Sequence, residues 1–328
     1  MDWQRMLTLA AGELIAPQTA AFALAAIGLN VHFGFTGLLN MGHAGFMLLG
    51  AYGFAISTIA GAPFWLAFLV AIVAAILFAL ILGIPTLKLR GDYLAIVTIS
   101  AAEIIRLLGR STLFTDLTGA SSGLRGNTYK ATFQALSPLP DGTTAIGPFE
   151  YGNNLSNGWW VRIAAWALVL LAVLVVYLLV RSPWGRVLRG IREDEDAVRA
   201  LGKSVYAYKM QALVLGGVLG ALGGVVYVLP TSVQPDAMGR AMTFFVWTVL
   251  LLGGAATIFG PILGAMIFFV ALSVVRTSMR ELLPSDIFGP AQIEPLSGIL
   301  IGVFLMLLVI FRPQGIMGDK KELTFHVR

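Results

Sequence analysis

The side chains able to do chemistry in this chain are few, and they fall into separate groups. Glu103 and Arg106 stand three apart within an apolar run, a spacing that puts them on one helix face. A charge in mid-membrane costs about 2.5–3.5 kcal/mol on insertion scales. The two are therefore expected toward the outer end of a helix, as an ion pair or alternatively as a proton relay. Asn40 and His43 are the polar members of a stretch with six glycines (Gly34, Gly37, Gly42, Gly45, Gly50, Gly53) and with Phe35, Phe46 and Tyr52 interleaved. Glycine at this density permits close helix contact or a broken helix beside a cavity. Asn40, His43, Phe46 and Tyr52 are thus candidates for a translocation path, the alternative being a packed seam with a hydrogen-bonded histidine. Only His32 lies near enough in sequence to join His43 at a metal, and the chain has no cysteine, so no metal site, disulfide or thiol chemistry is expected.

Glu193, Asp194, Glu195 and Asp196 form a third group, embedded among seven basic residues between Arg181 and Lys209. Ile191 to Leu201 reads as one short polar helix, acidic at its start, with Arg199 and Lys203 near its end and Gly202 to stop it. Such a helix between spans can dock a partner; the alternative is an ordinary solvated loop. Leu201-Gly202-Lys203-Ser204 ends like a phosphate-binding loop. That motif needs a glycine where Ala197 stands and a buried strand before it, so nucleotide binding is excluded here.

The elements that position these groups are transmembrane helices. Of 328 residues 58% are hydrophobic and 12% charged, about half the charge of a soluble domain. Mean hydropathy is +0.85. No Asp, Glu, Lys or Arg occurs from Leu14 to Leu87, several times the roughly 20 residues that span a bilayer. About nine apolar segments are legible: 14–31, 43–60, 63–84, 93–109, 159–180, 210–229, 241–254, 261–278 and 295–311. They are too long and too continuously apolar for the alternating strands of a membrane barrel. The fold class is an all-α integral membrane bundle of 8–10 spans, one transmembrane domain over residues 1–328. Gly216, Gly220 and Gly224 share one helix face and form a packing seam; Gly260/Gly264 and Gly298/Gly302 repeat the spacing. Trp159, Trp160 and Trp184 are expected as interfacial anchors at the two ends of the fifth span.

Counting Lys and Arg places 85–92 and 181–209 in the cytoplasm and the near-neutral 110–158 loop outside. Parity then puts 230–240 and 279–294 outside, and the tail from Arg312 inside. The N-terminus is external if the first three segments are simple spans. Val31 to Gly42, which is uncharged, is otherwise a break inside the membrane. Residues 1–5 lack a signal-peptide pattern, so the first apolar stretch is expected to be a retained helix. The net charge of +5 sits in loops, which suits membrane topology and not nucleic acid.

Several stretches resemble the branched-chain amino acid ABC permeases, the LivH/LivM family. They are GFTGLLNMGHAGFMLLGAY (34–52), LRGDYLAIVTISAAEIIRLL (89–108), TGASSGLRG (118–126), RSPWGRVLRGIREDEDAVRALGKSVYAYKM (181–210) and LLGGAATIFGPILGA (251–265). The resemblance covers nearly the whole chain in order. Asp196-Ala197 followed by Gly202 is loosely similar to the EAA…G coupling signature of ABC importers, with Asp for Glu and Val198 for the second Ala. The resemblance implies a non-enzymatic permease of the bacterial inner membrane without cofactors. It also implies a second permease, two ATP-binding subunits and an extracytoplasmic binding protein as partners, and alternating access as the mechanism. Glu193, Asp194, Glu195, Asp196, Ala197, Leu201 and Gly202 would couple it to the ATPase. Branched-chain or other small amino acids are the implied substrates; urea, short amides or aromatic acids are the alternatives. A secondary transporter using Glu103, or a channel, would need no docking helix.

Overall fold

Lipid leaves backbone N–H and C=O groups no partner outside the chain, so long apolar runs become helices. The computed structural model describes residues 3–88, 91–140, 142–153, 157–282, 290–311 and 314–318. An amphipathic helix α1 (Trp3–Leu14) precedes α2 (Pro17–Leu29), which a π-helical turn, Asn30–Phe35, prolongs. Pro17 starts α2 at a position that needs no N–H donor. After an irregular stretch come α3 (His43–Ile59), α4 (Phe64–Thr86) and α5 (Gly91–Arg110). The long loop holds α6 (Thr115–Thr118), α7 (Asn127–Gln134) and an antiparallel hairpin of β1 (Thr143–Ile146) and β2 (Phe149–Gly152). Then follow α8 (Trp159–Arg181), α9 (Pro183–Glu193), α10 (Glu195–Ala200), α11 (Val205–Val228), α12 (Arg240–Gly253), α13 (Gly260–Leu282) and α14 (Pro290–Phe311).

Among the described residues five helical stretches are long and apolar enough to cross a membrane: 17–35, 64–86, 159–181, 205–228 and 260–281. The apolar helices α3 and α12 are shorter. The protein is an all-α polytopic membrane bundle.

Helix α11 forms its centre, packed by α2, α3 and α4. In α2 every residue but Gln18 is buried. A Cβ on Gly28 would lie 2.4 Å from the Gly216 carbonyl oxygen, so the α2 and α11 backbones touch where both residues are small. Outer helices do the reverse: Leu77 and Ile81 of α4 and Leu170 and Leu171 of α8 are exposed, the apolar surface a lipid-solvated protein shows.

The bundle has two distinct ends. At the loop end, Arg162 and Trp166 of α8 donate to the Ile15 carbonyl just before α2, at 3.2 and 3.1 Å. At the basic end lie α9, α10 and Lys88, whose ammonium sits 5.7 Å from the Tyr206 ring centre.

Three sequence expectations change. Residues 191–201 form two helices and not one. Asp194 is extended (φ −154°, ψ 107°), and its carboxylate accepts from the N–H groups of Asp196 and Ala197 at 2.9 and 3.0 Å, so it caps α10 and breaks the run. Helix α1 was not among the apolar segments, because its apolar residues are interleaved with polar ones. Trp159 and Trp160 do not lie free at an interface. Trp159 is buried, with its indole N–H on the Thr144 carbonyl (2.8 Å), and Trp160 donates to Phe133 (3.0 Å), so both anchor the loop to α8. Trp184 donates to Gln211 (2.8 Å). The tail from Arg312 with Lys320 and Lys321 lies mostly outside the described residues.

Candidate functional site

Two irregular connections between helices, each a break in the helical run, meet inside the bundle. The first is the π-turn and irregular segment from Asn30 to Gly42; the second is Gly254 to Phe259 between α12 and α13. Irregular backbone at membrane depth persists only where protein satisfies its polar groups. Here the partners come from other helices and from the break's own Asn40. Met41 N–H donates to Thr98 of α5 (3.1 Å), Ala44 N–H to Thr243 of α12 (3.0 Å), and Gly42 N–H to the Asn40 side chain (2.9 Å). Trp247 of α12 donates to the Asn40 carbonyl (3.1 Å). Asn30 joins the two breaks: its amide donates to the Thr257 carbonyl (2.6 Å) and accepts from Ala256 N–H (2.8 Å). Ala256 has φ +63°, a conformation costly without such support.

A buried polar cluster fills the angle between the first break and α11. His32 contacts the Leu213 carbonyl through Nε2 (3.0 Å) and Asn40 through Nδ1 (3.1 Å). His43 stacks edge-on to it, ring centres 5.6 Å apart. The hydrogen-bonded histidine is thus His32. The His43 nitrogens make no hydrogen bond of normal geometry among the described residues, although the Ala25 backbone approaches the ring. The glycines of α11 make room for both rings. A Cβ on Gly216 would sit 2.3 Å from His32 Nε2, one on Gly220 2.7 Å from His43 Nε2, and one on Gly224 1.9 Å from the Met47 carbonyl oxygen. Gly260 and Gly264 likewise press on α12 backbone, whereas a Cβ on Gly298 or Gly302 meets no atom within 4 Å.

Asn40, His43 and Phe46 are fully buried, and Tyr52 is nearly so, with its hydroxyl 3.4 Å from the Gly109 carbonyl. None of the four faces an open passage in this conformation. A narrow cleft does reach the break from the side; Met41, Ala44, Glu103, Arg240 and Thr243 are among the residues that line it.

Glu103 and Arg106 are paired. Arg106 donates Nη2 to Oε1 at 2.6 Å and Nε to both oxygens at 3.1–3.2 Å. Its other nitrogen bonds Asp236, which Arg110 also approaches at 3.6 Å, and Arg240 Nε lies 3.8 Å from Glu103. The network straps α5 to the segment before α12. Both Glu103 oxygens are occupied as acceptors, an arrangement for a strut more than for a relay.

At the basic end, α9 touches the first break directly. Arg192 donates to the Gly34 carbonyl, and its side-chain carbons lie against Gly37, whose φ is +76°. Buried Lys209 of α11 pairs with Glu195 of α10. Asp196, Ala197, Leu201 and Gly202 are exposed, and Gly202 (φ +74°) ends α10. Sequence reasoning missed Asn30, Arg192, Lys209, Thr243 and Trp247. Only Asn30 and Lys209, polar residues in or beside apolar runs, carried a local signal.

Irregular backbone buried inside a bundle of membrane helices, with one segment held by a helix from the basic end, is the kind of site that membrane transport proteins use. A family model described as branched-chain amino acid transport system / permease component matches residues 13–310. The chain is 30% identical over 324 residues to the high-affinity branched-chain amino acid transport system permease protein LivM of Escherichia coli K12, covering 92% of this chain and 69% of that one. It is 27% identical over 345 residues to a probable LivM permease of Methanocaldococcus jannaschii, 92% of each chain. It is 28% identical over 272 residues to the guanosine ABC transporter permease protein NupQ of Bacillus subtilis 168, covering 76% of this chain and 80% of that one. The chain belongs to the permease component family of the branched-chain amino acid transport systems. It is an ABC transporter permease of the inner membrane and a multi-pass protein.

Proposed function

We propose that this chain carries branched-chain or other small amino acids across the membrane, delivered by an extracytoplasmic binding protein and driven by two separate ATP-binding subunits. It works beside a second permease. The basic end faces the cytoplasm, where Lys and Arg are retained, and the 110–158 loop faces outward. The ATPase docks on Glu193, Asp194, Asp196, Ala197, Leu201 and Gly202, with Glu195 held back against Lys209.

The observation that supports this reading is the grip of Arg192 on Gly34 and Gly37. A rigid movement of α9 and α10 would pull on the first break. That break carries Asn40 and His43 and is tied through Asn30 to the second one. Movement at the docking helices thereby reaches both broken helices and the cleft beside Glu103, and closed and open arrangements alternate as the ATPase cycles.

The test is leucine uptake into proteoliposomes holding the full complex, with ATP hydrolysis measured in parallel. Arg192→Ala is expected to assemble and hydrolyse ATP while uptake falls at least tenfold. Normal uptake by this variant would disprove the coupling route. Uptake of urea, an amide, an aromatic acid or guanosine in place of leucine would move the substrate and leave the route standing.

A further inference from the structure

A cavity of ≈ 410 Å³ opens at the basic end between the end of α4 and the start of α11. Among the described residues its lining carries Lys88, Arg199, Lys203, Ser204, Tyr206 and one carboxylate, Glu195. Glu195 is already neutralised by buried Lys209. Arg199 pairs with Asp196 at 2.6 Å, but both side chains are mostly exposed, and such a pair holds its partners weakly. Among the described residues three cations and a hydroxyl therefore line a cavity whose one carboxylate is taken by Lys209, with only the exposed Asp196 beside Arg199.

The phosphate-loop-like residues Lys203 and Ser204 lie here, yet the loop has no strand before it and no glycine at Ala197. It lacks the cradle a nucleotide needs. The surroundings point elsewhere. Leu77, Ile81 and Ile84 of α4 are 54%, 69% and 58% exposed and share one helix face, and exposed Lys88 stands in the turn two residues past the end of that helix. An apolar stripe thus runs down the outside of the bundle and ends at a lysine on the rim of the cavity. Tyr206, against which Lys88 packs, has the amphipathic ring that favours the headgroup level.

We infer that this cavity binds the phosphodiester headgroup of an acidic phospholipid from the cytoplasmic leaflet. An acyl chain lies along Leu77, Ile81 and Ile84; Lys88, Arg199 and Lys203 hold the phosphate, and Ser204 donates to it. Basic pockets on the cytoplasmic side of helical bundles are suited to such headgroups. Of the three cations only Arg199 lies on α10, and Lys88 and Lys203 stand outside the docking helices. Glu195 and Arg199, four apart, line the cavity, whereas Asp196, Ala197 and Leu201 are not in its lining. A bound lipid would therefore brace α10 against α4 while the ATPase docks. The leaflet assignment rests on the orientation proposed above.

The experiment is native mass spectrometry of the full chain, extracted from vesicles of phosphatidylcholine and phosphatidylglycerol. The wild type is expected to retain phosphatidylglycerol selectively. Lys88→Gln, Arg199→Gln and Lys203→Gln should each lower retention about fivefold, as roughly 1 kcal/mol per cation implies. Lys130→Gln, in the distant loop, should not. Lys88→Gln alone keeps the test valid if multiple variants misfold, because Lys88 is exposed and outside the docking helices. Equal retention of phosphatidylcholine, or undiminished retention by Lys88→Gln and Lys203→Gln, would overturn the site. Displacement of the lipid by millimolar inorganic phosphate or ATP would assign the cations to a soluble phosphate instead, and would also overturn it. Lipid retention is read without transport, so loss of leucine uptake by the wild type would sink the proposed function and not this site. Thiol labelling of Ser204→Cys from outside would overturn the leaflet alone.

Discussion

Replacing Gly216 by alanine probes whether the α11 glycines serve the two histidines of the first break. The new Cβ would lie 2.3 Å from His32 Nε2 and 2.4 Å from the Gly28 carbonyl oxygen. Ordinary contact requires about 1 Å more, and the second neighbour is backbone, so a side-chain rotation cannot relieve both. Overpacking of this kind costs about 1–3 kcal/mol. If His32 moves off the Leu213 carbonyl, about 1 kcal/mol more is lost. Alanine regains about 1 kcal/mol of helix propensity. The net destabilisation is about 1–3 kcal/mol, which lowers a melting temperature by roughly 1.5–4.5 °C in a chain of this size. The assay is thermal unfolding of the detergent-solubilised protein, paired with uptake by the complex. Gly298→Ala is the internal reference, since its Cβ meets no described atom within 4 Å, and it should melt at or above the wild-type temperature. If Gly216→Ala melts with the wild type and transports normally, the close approach of α2 and α11 is not what holds His32 and Asn40 in place.

Other outcomes follow from the same geometry. Ala197 is exposed on α10, so Ala197→Trp should insert and fold, accept loaded binding protein and lose uptake, with hydrolysis reduced or uncoupled; normal uptake would place ATPase docking elsewhere. Ser122 and Ser204 are both exposed, and the chain has no native cysteine, so an impermeant thiol reagent outside the cell should mark Ser122→Cys and spare Ser204→Cys. Lys203→Ala should leave the nucleotide affinity of the whole complex unchanged; ATP binding by the isolated chain that this variant abolishes would show a true phosphate loop. Asp194→Ala removes the α10 cap, at a cost of about 0.5–2 kcal/mol. It should weaken ATPase association in pull-down, and the weakening should be smaller in Asp194→Asn, whose amide oxygen still caps.

The sequence determined the class of protein, because charge and hydropathy act locally: a run of uncharged apolar residues is a membrane helix whatever its neighbours. It also showed the Glu103/Arg106 pair, whose partners lie within one helical turn, and the shared face of Gly216, Gly220 and Gly224, which helical period alone dictates. The break at 30–42 was legible only as an alternative, since glycine density permits a break without requiring one. The split at Asp194 was missed because acids at a helix start suit either one helix or the cap of a second. What the glycines accommodate, which histidine is hydrogen-bonded, and how the docking helices reach the core depended on residues far apart in the chain. Gly216 meets His32, Thr243 caps Ala44, Asn30 holds Ala256, and Arg192 holds Gly34. Such partners are chosen by which helices pack together, so the tertiary structure alone decided them.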